Sequence, residues 1–298
     1  DFFHHKFGKG NVYANGNINE ILNKHEVYED LIFPDSLNVK WVHRKLKGAD
    51  IYFITNQGDT QVTFDASFRI AGKSPELWSA LDATFRELPI YSNEEERTIV
   101  PLSFNVNDSY FIVFREEGHG IKKNLSVAQN FKVEKPLKQI SGLWDIQFKN
   151  KWLETDFTLK EQLLFDWTTS SDEKIKYFSG TATYTTSFEL TEEEVKQNIA
   201  LNFENIGTIA TVKLNGKELG TLWTNPYRIA MANTAKPGTN VLEIDVTSNW
   251  MNQMLWQNKK PQHERDTWVL ANTLEKMPNK GIMSSGIYGK VWISTNNN

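Results

Sequence analysis

The sequence predicts a mainly all-β fold, two β-sandwich domains preceded by a short stretch of mixed character, and three observations carry that prediction. Period-two alternation recurs: Val62, Phe64, Ala66, Phe68 and Ile70 share one parity, as do Ala182, Tyr184, Thr186, Phe188 and Leu190, and then Leu242, Ile244 and Val246. Alternation of this kind lays apolar side chains on one face of a strand and polar ones on the other. Turn signals separate the runs. The polar Asn56-Gln-Gly-Asp59 stands between two of them, and Asn215-Gly216, two residues able to take positive φ, joins Thr211-Val-Lys-Leu214 to Lys217-Glu-Leu-Gly-Thr-Leu222 as a hairpin. The third observation is length. A chain of 298 residues favours about two domains, each able to bury a core.

Taken in order, Lys6-Phe-Gly-Lys-Gly-Asn-Val-Tyr13 is a glycine-punctuated turn running into a short strand, and Ile18, Ile21, Leu22 and Val27 suggest a short helix between Ile18 and Tyr28. From Val39 the pattern is that of a meander: Val39-Lys-Trp-Val-His-Arg44, Ile51-Tyr-Phe-Ile-Thr55, and the run from Val62. Ser109-Tyr-Phe-Ile-Val-Phe-Arg115 closes a first sandwich over 37–117. Residues 118–139 carry Gly118-His-Gly120, Lys122-Lys-Asn124 and Lys135-Pro136 with little periodicity, and read as a connection. The second domain spans 140–298. Ile140-Ser-Gly-Leu-Trp-Asp-Ile-Gln-Phe148 reads as its first strand, Phe165 to Ser171 as a polar turn, and Thr191-Glu-Glu-Glu194 as a capping box that starts at most one helical turn.

Composition excludes several classes of function. The formal net charge is −4 and the pI is near 5.9, which supplies no cationic field for nucleic acid. No run approaches the roughly 20 apolar residues of a membrane-spanning helix. The first residues, Asp1-Phe-Phe-His-His-Lys-Phe-Gly8, show no leader pattern, and an initial Asp leads us to expect a piece of a longer protein. The absence of cysteine removes disulfides, thiolate metal sites and cysteine nucleophiles together. Ten Trp, nine Tyr and eighteen Phe suit sheet cores and also suit the flat faces of pyranose rings.

A family resemblance enters through ordered motifs. Phe178-Ser-Gly-Thr-Ala-Thr-Tyr184, the Leu214-Asn-Gly-Lys217 hairpin, Asn225-Pro-Tyr227, Lys236-Pro-Gly-Thr-Asn240 and Asn249-Trp-Met-Asn252 follow one another as in galactose-binding-like jelly rolls of glycoside hydrolases. The stretch is similar to the sugar-binding domain of family 2 glycosidases. It more closely resembles the C-terminal region of the family 106 α-L-rhamnosidases, whose closing strand is matched by Ser285-Gly-Ile-Tyr-Gly-Lys-Val-Trp292, with Lys290 in place of a proline. Trp41-Val-His-Arg44, Asp50-Ile-Tyr-Phe53 with Asn56, Phe68-Arg69 and Pro75-Glu-Leu-Trp78 extend the resemblance through the first sandwich. It implies that residues 1–36 are the tail of an upstream α/β domain. It also implies that the second sandwich is a galactose-binding-like jelly roll and that the catalytic carboxylates lie in an upstream barrel outside this chain.

Candidate chemistry is correspondingly narrow. Glycoside hydrolysis needs a carboxylate pair, but the acidic clusters Glu94-Glu-Glu96 and Glu192-Glu-Glu194 sit in polar connections and read as solvated. No catalytic residue is assigned. His4, His5 and the His43-Arg44 pair lack metal-ligand spacing and read as structural. The set Trp223, Asn225, Tyr227, Asn249, Trp250, Asn252 and Trp256 is the candidate carbohydrate surface, because sugars take an aromatic face on their C–H side and amides on their hydroxyls. Its bland reading is a turn at Asn225-Pro226 and tryptophans that hold a sandwich together. Arg228 and Arg265 are secondary candidates. No cofactor is expected; a structural calcium ion is allowed by the resemblance, although no EF-hand-like run of ligands occurs.

The reading that follows is the C-terminal accessory or carbohydrate-binding region of a secreted or periplasmic glycoside hydrolase. By the resemblance it is an α-L-rhamnosidase acting on plant or algal polysaccharide, and the expected partners are a rhamnose-containing glycan and the missing catalytic domain. A free-standing carbohydrate-binding protein and a structural interaction module are the alternatives.

Overall fold

A computed structural model describes residues 3–117, 130–131, 134–231, 233–265 and 281–296, with the side chains of 116 and 117 left aside. It is built mainly of antiparallel strands and divides into two compact units, 1–131 and 132–298. The outer part of the expected connection at 118–129 lies outside the described residues.

The first unit opens on a hairpin, β1 (Phe3–Phe7) with β2 (Gly10–Ala14), and the helix α1 (Ile18–Lys24), whose first turn is capped by the Asn17 side chain. Nine strands follow: β3 (Leu31–Ile32), β4 (Val39–Leu46), β5 (Ala49–Asn56), β6 (Val62–Phe68), β7 (Lys73–Ser79), β8 (Thr84–Glu87), β9 (Ser92–Glu94), β10 (Arg97–Phe104) and β11 (Ser109–Glu117). They form a sheet ordered β3-β6-β10-β9 and another ordered β4-β5-β11-β7-β8. Phe64, Phe68, Leu102 and Phe104 from one sheet and Tyr52, Ile54, Ile112 and Phe114 from the other share a single buried core. The alternating runs therefore bury the parity the sequence indicated.

One feature departs from the sequence reading of 1–36 as a tail. Leu31 is buried in the first sandwich core and β3 pairs with β6, Leu31 opposite Phe68. A two-residue strand is too short to show a period.

The second unit contains β12 (Lys135–Gln139), β13 (Trp144–Asn150), β14 (Thr155–Gln162), the short helix α2 (Glu173–Lys176), β15 (Thr181–Leu190), the one-turn α3 (Glu192–Val195), β16 (Ile199–Gly207), β17 (Ile209–Leu214), β18 (Lys217–Leu222), β19 (Arg228–Ala230), β20 (Gly238–Thr247), α4 (Met251–Gln257) and β21 (Gly286–Thr295). A six-stranded sheet, β14-β13-β15-β20-β17-β18, faces a four-stranded sheet, β12-β21-β16-β19. Phe148, Tyr184, Val212 and Ile244 meet Leu201, Phe203, Ile287 and Ile293 between them. This is the predicted all-β sandwich.

Two local predictions in this unit, the capping box and the hairpin, hold in detail. The capping box is formed: Thr191 Oγ1 accepts from Glu194 N (3.1 Å), and Glu194 Oε2 accepts from Thr191 N (2.8 Å). The hairpin turns at Asn215 (φ 52) and Gly216 (φ 80), as a two-residue connection requires.

Two expectations are corrected. Lys135–Gln139, read as the end of a connection, is strand β12, paired with β21 through a bulge near Pro136. As an edge strand interrupted by a proline it shows no clean alternation. The strand expected from Ile140 begins only at Trp144. Ile140 N–H still donates to Val291 O in the four-stranded sheet, whereas Asp145 already pairs with Thr185 in the six-stranded one. Residues 140–143 are thus where the chain changes sheets.

Candidate functional site

Register places the candidate loops. In the six-stranded sheet Lys149 stands opposite Thr181, Thr181 opposite Thr247, Thr247 opposite Ile209, and Ala210 opposite Leu222. The turn after β13, the segment before β15, the loop after β20 and the loop after β18 therefore all emerge from one end of the sandwich. Gly207 pairs with Gly286, so the 281–285 segment arrives there too. Loop ends on a rigid sandwich are where such folds carry binding residues.

A buried polar network underlies this end. Trp167 Nε1–H donates to Tyr184 Oη (2.7 Å), which also accepts from Ile287 N (3.2 Å). Asp166 Oδ1 accepts from Ser285 N (3.0 Å), and Ser285 O accepts from Trp167 N (3.0 Å). Burial pushes the Tyr184 hydroxyl pKa up, which keeps it neutral. Gly286, at φ +89, is required by close approach: a Cβ there would lie 2.4 Å from Trp167 Nε1 and 2.7 Å from Tyr184 Oη.

The seven predicted residues divide on this foundation. Trp223 and Trp250 present exposed indoles, 62% and 38% accessible. Asn225 precedes Pro226 through a cis peptide in the loop after β18. Tyr227 packs partly into the core, and burial first, then the neighbouring Tyr288, raises its pKa. Asn249 Oδ1 accepts from Met251 N (2.9 Å) at the start of α4, and its carbonyl accepts from Ser179 Oγ (2.8 Å). Asn252, 2% accessible, spends its amide on the chain: Nδ2 donates to Met283 O (2.7 Å) and Ser285 Oγ (3.2 Å), and Oδ1 accepts from Met283 N (2.7 Å). Trp256 stacks on Tyr177 with centroids 6.0 Å apart, and the Lys260 ammonium lies 3.8 Å from its ring centroid.

Five of the seven residues thus carry the scaffold or a turn, and two indoles face solvent. Trp152, 83% accessible in the turn between β13 and β14, joins them at the same end, and no motif marks it. The available signal was a tryptophan standing alone in the polar turn Asn150-Lys-Trp-Leu-Glu154.

The secondary candidates are tied to structure. Arg265 donates from Nε to Lys260 O (2.9 Å) and from Nη2 to Asn258 O (3.2 Å), beside the end of α4. Arg228 pairs through Nε with Glu134, whose other oxygen accepts from Ser294 Oγ (2.7 Å). In the first unit His43 stacks on Tyr52 (centroids 4.1 Å apart) between two carboxylates, Nδ1 2.9 Å from Asp30 Oδ2 and Nε2 3.2 Å from Asp50 Oδ1. Arg69 and Lys73 complete that group. Arg44 is exposed, and His4 sits 2.8 Å from Asn11 Oδ1 in the opening hairpin. Among the described residues no group of three or more His, Asp or Glu comes together as a metal site. No described helix is long and apolar enough to cross a membrane.

Comparison with known proteins agrees with this architecture. Residues 2–92 match the family model described as alpha-L-rhamnosidase, glycoside hydrolase family 106. Residues 158–282 match the glycosyl hydrolase 2 galactose-binding domain-like model. A solved rhamnosidase structure from Novosphingobium sp. PP1Y superposes over 98% of this chain, with a TM-score of 0.78 and 27% identity, and the chain covers 27% of that protein. A putative beta-glucuronidase of Formosa agariphila is 34% identical over 180 residues, 52% of this chain and 15% of that protein. The chain therefore spans about a quarter or less of the relatives it matches. The chain thus resembles the family 106 α-L-rhamnosidases and the galactose-binding-like domain of family 2.

Proposed function

We propose that this chain is the non-catalytic C-terminal region of a larger glycoside hydrolase, that the parent cleaves terminal α-L-rhamnosides, and that the loop end of the second sandwich meets the glycan. The carrying observation is coverage: 98% of this chain corresponds to 27% of a solved rhamnosidase. Exposed indoles beside amide-bearing loops support carbohydrate contact. A plant or algal polysaccharide as substrate accords with a secreted or periplasmic protein, since such a polymer is met outside the cytoplasm.

The test compares the isolated 298-residue chain with the complete gene product on aryl α-L-rhamnoside, with aryl β-glucuronide in parallel because one relative carries that name. Rhamnoside hydrolysis by the complete protein and none by the chain is the expected outcome. Rhamnose released by the isolated chain would overturn the non-catalytic assignment. Glucuronide hydrolysis by the complete protein would replace the substrate.

A further inference from the structure

Among the described tryptophans, three are exposed, Trp152 (83%), Trp223 (62%) and, least so, Trp250 (38%), and all three stand at the same end of the same sheet. Trp152 lies in the β13–β14 turn at one edge, Trp250 follows β20, the fourth strand across, and Trp223 follows β18 at the opposite edge. With neighbouring strands about 4.8 Å apart, the strand ends they leave are spaced by roughly 12 and roughly 10 Å along a line of about 22 Å. Those intervals exceed a single pyranose ring. One monosaccharide could cover one indole but not two.

The surroundings argue for a sugar chain rather than a protein face. Protein-docking surfaces are contiguous apolar patches. Here each indole is set among polar neighbours: Lys151 and Glu154 near Trp152, Thr224 and Asn225 after Trp223, and Asn249 before Trp250. Separated aromatic faces with amides and a hydroxyl beside them in sequence suit the C–H faces and hydroxyl rims of a glycan. Among the described residues two further tryptophans of this region are already occupied, Trp167 within the core and Trp256 against Tyr177 and Lys260. The segments carrying Trp152 and Trp250 are braced, the first by Asn150 Oδ1 accepting from Trp152 N (2.8 Å) and Leu153 N (3.1 Å), the second by Asn249 and Asn252.

We propose that Trp152, Trp250 and Trp223 form a row of contacts for an extended oligosaccharide lying across the end of the six-stranded sheet, so that this region holds a polymer and not a terminal sugar alone. The inference rests on the carbohydrate-contact reading above and specifies its ligand by length.

The experiment titrates the 298-residue chain with L-rhamnose and with size-fractionated rhamnogalacturonan oligosaccharides, read by calorimetry and tryptophan fluorescence. Affinity is expected to rise with length until the chain reaches all three indoles, then level off. Trp152→Ala should abolish the last step of that rise, a loss of about threefold to tenfold, and leave the shorter oligosaccharides unaffected. Trp250→Ala, in the middle, should weaken every oligosaccharide long enough to bridge. Circular dichroism and melting of each variant confirm that the fold is kept.

Binding that is independent of length, or unchanged in Trp152→Ala and Trp223→Ala, would overturn the row while leaving carbohydrate contact in place. No binding at any length would remove both. Self-association that the triple alanine variant abolishes, with no glycan bound, would identify a protein-docking face and overturn the proposal.

Discussion

The two sandwiches each close one end of their core with a polar network, and the networks differ in kind. In the first unit Asp30, His43, Asp50, Arg69 and Lys73 form a charged, partly exposed group whose paired members stand 7 to 39 residues apart. In the second, Asp166, Trp167, Tyr184 and Ser285 form a largely buried one in which Tyr184 Oη and Ile287 N join segments 103 residues apart. A charged, half-wet network tolerates imperfect partners because water completes them, and each ion pair contributes little. A largely buried network has less of that reserve, because any group left unpaired bears its full desolvation cost. The second sandwich therefore holds its loop end to one geometry, as a contact surface for an extended ligand requires.

Gly286→Ala probes the contrast most severely. The added methyl would overlap Trp167 and Tyr184, at a backbone conformation that alanine disfavours, and a loss of about 3 kcal/mol or more is expected. Hydrogen exchange resolved by peptide should show it as protection lost from 132–298 with 3–117 little changed; equal loss in both units would erase the distinction. Tyr184→Phe is milder. It leaves the Trp167 indole N–H and the Ile287 amide without their acceptor, at about 2 kcal/mol. A chemical-denaturation midpoint unmoved by this change would show that the network is dispensable.

The smallest effect concerns acid and salt. Burial works against the charge of Asp30, yet hydrogen bonds from His43 and Arg69 outweigh it and hold the carboxyl below its usual range. With the folded pKa below the unfolded value of about 3.9, the stabilisation is complete above that value and is lost as pH falls through the folded one. Exchange protection around β4 and β5 should drop there. Because the group is partly exposed, about 1 M salt at neutral pH should also weaken it, while the Tyr184 network stays unchanged. Salt sensitivity of equal size in both units would remove the comparison.

What could be read from sequence follows the range of the interactions involved. Alternation, the capping box and the Asn215-Gly216 hairpin are local and were all readable, and the ordered motifs identified the second sandwich. The sheet change at residues 140–143, the edge strand β12 and the pair Leu31–Ile32 depend on partners distant in sequence, and none leaves a period to detect. The candidate site shows the same limit. Trp223 and Trp250 lie in recognisable motifs, but only sheet order brings Trp152 to their end, and only burial reveals that Asn252 serves the backbone.

The hairpin also has a chemical lifetime. Asn-Gly pairs lose ammonia readily because an unhindered glycine amide can attack the asparagine side chain, provided that side chain is free to swing onto it. Asn215 is not free: Nδ2 donates to Thr234 O (3.0 Å) and Asn240 Oδ1 (2.9 Å), and Oδ1 accepts from Val241 N (3.0 Å). The folded protein thus shelters this labile side-chain amide, and a chain left unfolded converts Asn215 to aspartate or isoaspartate. Peptide mapping of this one position would tell how long a sample had spent unfolded.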